Sequence, residues 1–379
     1  MEHGLRPVHD CDAGSTIILD VGSSSVKAGF CGEDLPRAVF PARVGDKPTH
    51  KKRSARGMPE SAEATPATRR DFPVRDGAVA DWDLLGKLLE LTFTEELETT
   101  PEQGYAVLVA EAPGAKEEQR ERMARLLFET LKAPAVCFYN AAALSLFASG
   151  RTRGLVLDVG ASVSKAVPVF EGFGIAHALT TSKRAGAAVT AVLAEKMGLG
   201  HDDARRAKEK ACAFGAPEDV EVELPDGTVV SVDAAARALA PEALFEDREV
   251  GEVDEDCTSL TRPGDDDRNL QTLVASSLQL CDKDLQVEFA ENVVLAGGTT
   301  MLPGFCGRLQ NELERGLSHR ARCVPGGAGG PAERGYTKQR KHAAWVGGSL
   351  FASLETFEHI KVTKREWEDD EEAVHKRSF

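Results

Sequence analysis

Two stretches of this sequence carry the same chemically useful residues at the same spacing. Residues 18–28 read ILDVGSSSVKA, and residues 156–166 read VLDVGASVSKA. Each is an apolar run that ends in Asp-Val-Gly, and in each a lysine follows the aspartate by seven residues. This separation is much longer than the period of a solenoid repeat. The pair therefore predicts two related half-domains that present their turns to a shared cleft.

Each turn has the residues that a phosphate and a metal ion require. Glycine allows a tight turn, and small side chains after it leave backbone amides open to an anion. Asp20 and Asp158 would face a hydrated divalent cation, because Mg²⁺ takes oxygen ligands and keeps waters. Lys27 and Lys165 would add positive charge for a phosphate. Asp-x-Gly hairpins also occur as ordinary turns, so the matched pair leaves both interpretations open.

Strands and helices alternate around these turns. Strand patterns at residues 16–20 and 154–158 lead into the turns, and those at 26–30 and 167–170 return from them. Further strands are expected at 106–111 and 292–296, and a hairpin at 220–232 around Pro-Asp-Gly. The predicted helices cover residues 81–97, 116–131, 140–149, 187–197, 204–212, 270–285 and 343–357, with another beginning near 304. This alternation predicts an α/β fold.

A third turn follows the strand at 292–296. Gly297 and Gly298 allow a flat group such as a nucleoside to lie against the backbone, and Thr299 comes next. Gly-Gly turns are more often structural than ligand-binding, so this signal is weak alone.

Composition limits the classes of function. The 379 residues carry a net charge of −15, which argues against nucleic-acid binding through a broad basic surface. The eight cysteines show no zinc-site spacing, and free thiols are expected. No apolar run approaches 18 residues. We expect a cytoplasmic protein without a membrane span.

Longer motifs resemble actin. Residues 27–41, which read KAGFCGEDLPRAVFP, resemble the beginning of that protein. Further collinear matches lie at 167–172, 177–178, 224–227, 241–245, 297–301, 345–357 and the final Phe379. The resemblance covers about residues 15–379, so the chain is identified as a divergent member of the actin and actin-related family. Its loose site residues and near-complete length are similar to the germ-cell actin-like proteins, which would place it in testis.

The resemblance implies the two-lobed actin ATPase fold, built from duplicated ribonuclease-H-like domains and divided into four subdomains. Subdomains 2 and 4 are shorter than in actin. The expected division is a disordered leader at 1–14; subdomain 1 at 15–44, 73–148 and 343–379; a reduced, flexible subdomain 2 at 45–72; subdomain 3 at 149–184 and 267–342; and a reduced subdomain 4 at 185–266.

The resemblance also implies ATP or ADP, with Mg²⁺ or Ca²⁺, between the lobes. Asp20 and Asp158 would hold the metal through water. The other matching positions are Gly22, Ser23, Ser24 and Lys27 in the first phosphate loop, Gly160 in the second, Lys208 and Glu209 beside the adenosine, Gly297, Gly298, Thr299 and Met301 at the adenine-side turn, and Lys341 beside the base.

Four positions depart from the actin pattern. Ser24 replaces a glycine, Ala161 an acidic residue, Lys165 a histidine, and Asn140 a glutamine that positions water. Hydrolysis needs a water in line with the γ-phosphate, so the last three changes predict weak hydrolysis. Lys165 has two interpretations: a fixed positive charge near the phosphates that favours holding nucleotide, or a solvent-facing side chain beside an empty pocket.

The expected function is a cytoskeletal scaffold that acts through protein partners. The shortened segments argue against autonomous filaments, because a filament contact needs complementary faces on both ends of a subunit. A groove near Gly150, Leu350, Leu354 and Phe357 would receive partner helices, although these residues could simply pack the core. The alternative is an active ATPase that co-assembles with filaments or caps them. A sugar or acetate kinase of the same fold is disfavoured by the actin-like C-terminal run.

Overall fold

The strands form two larger sheets and two hairpins. A computed structural model describes residues 15–44, 72–215, 218–246, 267–326 and 331–377. The strands are β1 Thr16–Val21, β2 Ser25–Phe30, β3 Ala38–Pro41, β4 Val74–Arg75, β5 Ala78–Val79, β6 Ala106–Glu111, β7 Ala135–Asn140, β8 Gly154–Val159, β9 Ser164–Phe170, β10 Phe173–Gly174, β11 Thr180–Ser182, β12 Val220–Glu223, β13 Val229–Val232, β14 Val293–Ala296, β15 Cys323–Val324 and β16 Val362–Thr363.

The helices cover the faces of the sheets. They are α1 Trp82–Leu91, α2 Glu117–Arg125, α3 Ala141–Ala148, α4 Gly186–Met197, α5 His201–Ala211, α6 Ala234–Glu242, α7 Leu270–Gln279, α8 Lys283–Ala290, α9 Phe305–Gly316, α10 Pro331–Gln339, α11 Ala343–Ala352, α12 Phe357–Ile360, α13 Lys364–Asp369 and α14 Ala373–Lys376. Within the described ranges, no helix is both long and apolar enough to cross a membrane.

The two sheets have the same topology. In the first, β3, β2 and β1 form an antiparallel meander, and β6 and β7 continue from β1 in parallel. In the second, β10, β9 and β8 form the meander, and β14 and β15 continue in parallel from β8. The predicted α/β class with two duplicated lobes is therefore confirmed.

One apolar cluster joins the two lobes. It contains Ile18 and Leu108 from the first sheet together with Val156 and Val294 from the second. Between the sheets, α3 packs against α11 so closely that a Cβ on Gly347 would lie 1.8 Å from the Leu144 carbonyl oxygen. Only glycine permits this backbone approach.

A tryptophan fixes α11 to the first hairpin. Trp345 is fully buried, and its Nε1 donates a hydrogen bond to the Ile18 carbonyl oxygen at 3.1 Å. The ring packs where a Cβ on Gly29 would come within 2.7 Å of it. Buried indoles of this kind need a partner for their N–H. The helix and strand β1 therefore hold each other in a defined position.

The structure corrects several predicted elements. The helix expected at 270–285 is two helices, because α7 ends at Gln279 and α8 begins at Lys283, with Asp282 as its N-cap. Helix α10 occupies part of the loop expected at 325–335, and the charged C-terminal tail forms α13 and α14. The leader, the segment 45–71, the acidic stretch 247–266 and Phe379 lie outside the described residues. The four-subdomain boundaries therefore stay a prediction.

The α3–α11 contact predicts the effect of an added methyl group. Gly347→Ala should lower the free energy of unfolding by about 1–3 kcal/mol, because the helices must separate to admit it. Gly307→Ala in α9 is the matched control, since an added Cβ there meets nothing within 4 Å. It should stabilise the protein by about 0.4–1 kcal/mol. Urea unfolding followed by circular dichroism measures both, and equal effects would contradict the packing.

Candidate functional site

The first Asp-Val-Gly turn is a tight hairpin between β1 and β2. The Gly22 amide donates to the Ser25 carbonyl oxygen at 3.0 Å, which closes the turn. Asp20 and Lys27 face each other in the strand register. Lys27 Nζ lies 3.2 Å from Asp20 Oδ2, and both side chains are largely buried. The hairpin therefore presents a paired carboxylate and ammonium beside a turn of small residues.

The second turn has the same backbone but a different lysine contact. The Gly160 amide donates to the Val163 carbonyl oxygen at 3.1 Å, and Asp158 faces Lys165 in register. Lys165 Nζ, however, donates to the Pro113 carbonyl oxygen at 2.8 Å. Its side chain is half-buried and crosses to the other lobe, so neither of its two sequence-based interpretations describes this position fully.

The two turns contact each other directly. Ser162 Oγ donates to Ser23 Oγ at 2.9 Å, which joins the second hairpin to the first. Arg205 on α5 donates from Nη1 to Ser24 Oγ at 3.3 Å. The serine that departs from the actin pattern thus accepts a hydrogen bond from the second lobe.

The glycine turn after β14 packs against the second hairpin. Gly297 has φ +86°, and a Cβ there would lie 2.3 Å from Asp158 Oδ1 and 2.4 Å from the Val159 carbonyl oxygen. Thr299 Oγ1 donates to the Gly160 carbonyl oxygen at 2.8 Å. A side chain at this position would overlap the aspartate and the end of β8, so the turn requires glycine.

A buried lysine and arginine complete this side of the site. Lys208 Nζ donates to the Gly186 carbonyl oxygen at 3.0 Å, at the start of α4. Arg340 donates to Thr300 from Nε and Nη2, and its own carbonyl oxygen accepts from the Gly297 amide. The Arg340 contacts hold the glycine turn in place, and the Lys208 contact joins α5 to the start of α4.

Burial disfavours the charged forms of Asp158 and Lys208. Burial raises the pKa of Asp158, and the neighbouring Asp20 carboxylate raises it further, while Lys27 and Lys165 oppose the shift. Burial lowers the pKa of Lys208 to about 8. A cation beside the carboxylates and an anion beside the lysine would each offset part of the cost of burying charge.

Two buried nitrogen atoms of the site have no hydrogen-bond partner among the described residues. They are Arg205 Nε and His342 Nδ1. Burial lowers the pKa of His342 to about 4, and Lys341 and Lys27 lower it further. Buried polar atoms normally find a partner, so orphans that adjoin the first hairpin are available to a polar ligand.

Sequence reasoning did not identify Arg205, His342 or Arg340. Each reaches the site from a helix or turn distant in sequence from the hairpins, and none belongs to a spaced motif. Their positions were the one sequence feature that could have indicated them. His342 is next to Lys341, and Arg205 lies three residues before Lys208 on the same face of a helix. Spacing of three residues places the latter two side by side.

Some predicted residues are not drawn into the cluster. Glu209, Lys341 and Gly298 are exposed, and Met301 is half-buried at the end of the turn. Asn140 Oδ1 accepts from the Ala142 amide at 2.9 Å and caps α3. Its carbonyl group is therefore committed to the backbone.

The residues present fit a nucleotide and a hydrated cation. The Gly297 turn packs closely against Asp158, the buried Arg205 Nε and His342 Nδ1 have no partner among the described residues, and two carboxylates from matched strands supply hard oxygen ligands. No group of three metal-ligating side chains occurs in the part of the chain that the structure describes. A cation here would thus rely on waters and on the phosphates for most of its ligands.

A comparison with models of protein families finds a match over nearly the whole sequence. A family model described as Actin matches residues 11–202 and residues 201–379. The two matches meet at residues 201–202, at the start of α5, and together take in both hairpins and the glycine turn.

The burial of Lys208 predicts a pH dependence of stability. Its pKa is about 8 when folded and 10.5 when unpaired in water, so the unfolded chain binds more protons between these values. The contribution of this residue to stability should therefore rise with pH from about 8 to 10.5. Lys208→Met should stabilise the ligand-free protein by about 1–3 kcal/mol at pH 7, and less at pH 10.

Two features allow Lys208→Met to test the effect of the buried charge alone. The Gly186 carbonyl oxygen keeps a partner in Lys208→Met, because Thr190 Oγ1 also donates to it at 3.0 Å. Lys210→Met is the control, since Lys210 is exposed on the same helix. Urea unfolding across this pH range measures both variants. A pH-independent difference for Lys208→Met would contradict the electrostatic assignment.

The contact between the turns predicts local dynamics. Ser162→Ala removes one hydrogen bond between the lobes, a loss of about 0.5–1.5 kcal/mol. Amide hydrogen exchange should become faster in residues 22–25 and 160–163 together. Ser353→Ala, which loses a bond to the Ser349 carbonyl oxygen within α11, should leave both turns unchanged. Unchanged exchange in Ser162→Ala would show that the contact does not hold the turns together.

Proposed function

Because this chain belongs to the actin family and is a cytoskeletal actin-like protein, we propose that it binds ATP or ADP between its two lobes and acts as a scaffold for protein partners. The observation that carries the proposal is that both Asp-Val-Gly turns and the Gly297 turn meet, with the first turn bonded to the second and the Gly297 turn packed against the second. The proposal places the protein in the cytoplasm and, by analogy with germ-cell actin-like proteins, in testis.

The proposal gives each part of the site a role. The backbone amides of Gly22, Ser23 and Gly160 would bind phosphate oxygens, and Lys27 would add charge. Asp20 and Asp158 would hold Mg²⁺ or Ca²⁺ through water. The cation, when bound, neutralises phosphate charge. This role agrees with the raised pKa of Asp158, because a nearby cation favours the ionised carboxylate.

The other face of the proposed site would hold the nucleoside. Gly297 and Thr299 provide backbone against which a flat base can lie. Lys208 and Arg205 provide donors from α5, and His342, which is neutral at physiological pH, adds an unpaired ring nitrogen. The exposed positions Glu209 and Lys341 would stand at its rim.

Weak hydrolysis is part of the proposal. Catalysis of phosphoryl transfer to water depends on positioning the attacking water. Ala161 offers no polar atom, and Asn140 uses its carbonyl oxygen to cap α3. Lys165 stands where the family has a histidine that orders water, and it donates to the Pro113 carbonyl oxygen. The described geometry supports holding a nucleotide better than cleaving it.

The alternative is an active ATPase that co-assembles with filaments or caps them. It requires other residues to replace the three missing water-positioning groups. Turnover comparable to actin would favour this alternative over a scaffold with a stabilising nucleotide.

A second surface supports partner binding. Leu350 on α11 and Leu354 after it are 53% and 52% exposed, and Gly150, which follows α3, is exposed as well. Phe357 is buried and packs beneath the surface as part of the core. We propose that the leucines receive an apolar helix of a partner. Autonomous filaments are not part of this function, since the shortened segment 45–72 would leave a filament contact incomplete.

Nucleotide content tests the proposal. The purified protein, denatured and analysed by mass spectrometry, should release about one ATP or ADP per chain, because mass action retains a tightly bound ligand. Asp158→Asn should reduce this content at least about tenfold, through loss of the cation. Protein that is empty and takes up no labelled ATP at micromolar concentration would overturn the proposal.

Phosphate release tests the second half of the proposal. The wild-type protein should hydrolyse bound ATP far more slowly than actin. The triple variant Asn140→Gln, Ala161→Asp and Lys165→His should hydrolyse it faster, because it restores the water-positioning groups of the family pattern. The control is Lys210→Met, which leaves the cleft intact. Wild-type turnover equal to that of actin would support the active-ATPase alternative.

A further inference from the structure

Two cysteines of the second lobe lie on elements that pack against each other. Cys306 is in the first turn of α9, and Cys323 begins β15, the edge strand of the second sheet. Neither cysteine forms a disulfide in this structure. The proposed nucleotide site uses neither thiol, so the function described above leaves this pair without a role.

The side chain of Cys323 faces α9. Successive residues of a strand point to opposite faces of a sheet. Cys323 belongs to the apolar cluster that contains Leu309 and Leu313 of α9, whereas Val324 belongs to the cluster between the lobes. The cysteine is 1% exposed. Its thiol therefore lies in the interface between the strand and the helix.

Hydrogen bonds hold Cys306 over the same strand. Gln310, one turn further along α9, accepts from the Cys323 amide at 2.8 Å through its Oε1. Cys306 Sγ donates to the Pro325 carbonyl oxygen at 2.9 Å. Residues four apart lie on one face of a helix, so both contacts bring the face that carries Cys306 against the strand that carries Cys323. Cys306 is half-buried and is thus the more accessible of the two.

The two thiols differ in acidity. A hydrogen bond from the Cys323 side chain lowers the pKa of Cys306; burial opposes this shift, and the charge of Arg340 adds to it. The same hydrogen bond, together with burial, holds the pKa of Cys323 well above its usual range. Burial alone raises the pKa of Cys137 to about 12. The thiolate is the nucleophilic form of cysteine, so Cys306 is the better nucleophile of the pair.

We propose that Cys306 and Cys323 form a reversible disulfide by exchange with a low-molecular-weight disulfide such as oxidised glutathione. The Cys306 thiolate attacks one sulfur of the oxidant and displaces a glutathione thiolate, which leaves a mixed disulfide on Cys306. The Cys323 thiol then gives up its proton and attacks the Cys306 sulfur, which displaces the second glutathione. The protein loses two electrons and two protons, and the oxidant becomes two molecules of reduced glutathione.

The disulfide would join α9 covalently to the edge of the second sheet. A reductant reverses it by the same exchange, entering at the more accessible sulfur of Cys306. The modification requires neither the proposed nucleotide nor a protein partner.

Peptide mapping of the full chain tests the proposal. The reduced protein is incubated with oxidised glutathione at neutral pH, and the remaining thiols are blocked with N-ethylmaleimide. Trypsin cuts after Arg308 and Arg322, which places the two cysteines in separate peptides. Mass spectrometry should find these peptides linked, and dithiothreitol should separate them. The linked pair should form at least about tenfold faster than any oxidised form of the buried Cys212.

Three variants separate the steps of the exchange. Cys323→Ala should stop at the mixed disulfide, so Cys306 should gain the mass of one glutathione. Cys306→Ala should give neither product, because the remaining thiol is buried. Cys281→Ala is the matched control, since it removes another buried thiol of the same apolar cluster and should leave the linked pair unchanged. Circular dichroism confirms that each variant is folded.

Four outcomes would overturn the proposal. The first is no reaction at Cys306 in the folded chain, and the second is a mixed disulfide that persists on Cys306 in the wild type. The third is a link from Cys306 to a cysteine other than Cys323. The fourth is oxidation of Cys212 as fast as that of the pair, which would indicate reaction of an opened chain.

Discussion

The structure depends on the close approach of α3 and α11. These helices lie between the two sheets, and the backbone of Leu144 occupies the space in which any side chain at position 347 would have to fit. Around this contact, Ile18, Leu108, Val156 and Val294 form one apolar cluster from both lobes. Because the lobes share a core, the two hairpins are positioned relative to each other by packing that is remote from their charged residues.

The two duplicated hairpins have the same backbone pairing, but their lysines make different contacts. Both aspartates lie opposite a lysine in register, and both turns close with the same backbone hydrogen bond. In the first, the lysine pairs with its aspartate. In the second, Lys165 donates to Pro113, and Asp158 forms no ion pair with any of the described residues. The asymmetry leaves negative charge on one side of the second turn and positive charge on the other.

Much of this arrangement is predictable from the sequence, because its signals are local. Apolar runs that end in Asp-Val-Gly indicate both hairpins, and Gly297 marks a turn that only glycine can form beside Asp158. The separation of α7 from α8 was not predicted, because an apolar pattern continues across the turn between them. A short interruption by polar residues has little effect on helical periodicity.

Contacts between distant residues were beyond prediction. Lys165 binds a carbonyl oxygen 52 residues away, and any backbone carbonyl could have served. Arg205 contacts Ser24 from 181 residues away, across the two lobes. Asn140 was compared with a glutamine by side-chain length, whereas its position at the start of α3 decides its role. Spacing identifies residue types that could meet, and the fold determines which partners they use.

The path of the chain between the lobes also has a consequence for the order of folding during synthesis. The strands of the second sheet all lie between Gly154 and Val324, so this lobe can form as a continuous unit. The first sheet is different, because its edge strand β16 pairs with β7 and Trp345 seats against Ile18. On the ribosome, strands β1 to β3 must therefore wait for Trp345 and β16 to be synthesised before their own lobe is complete.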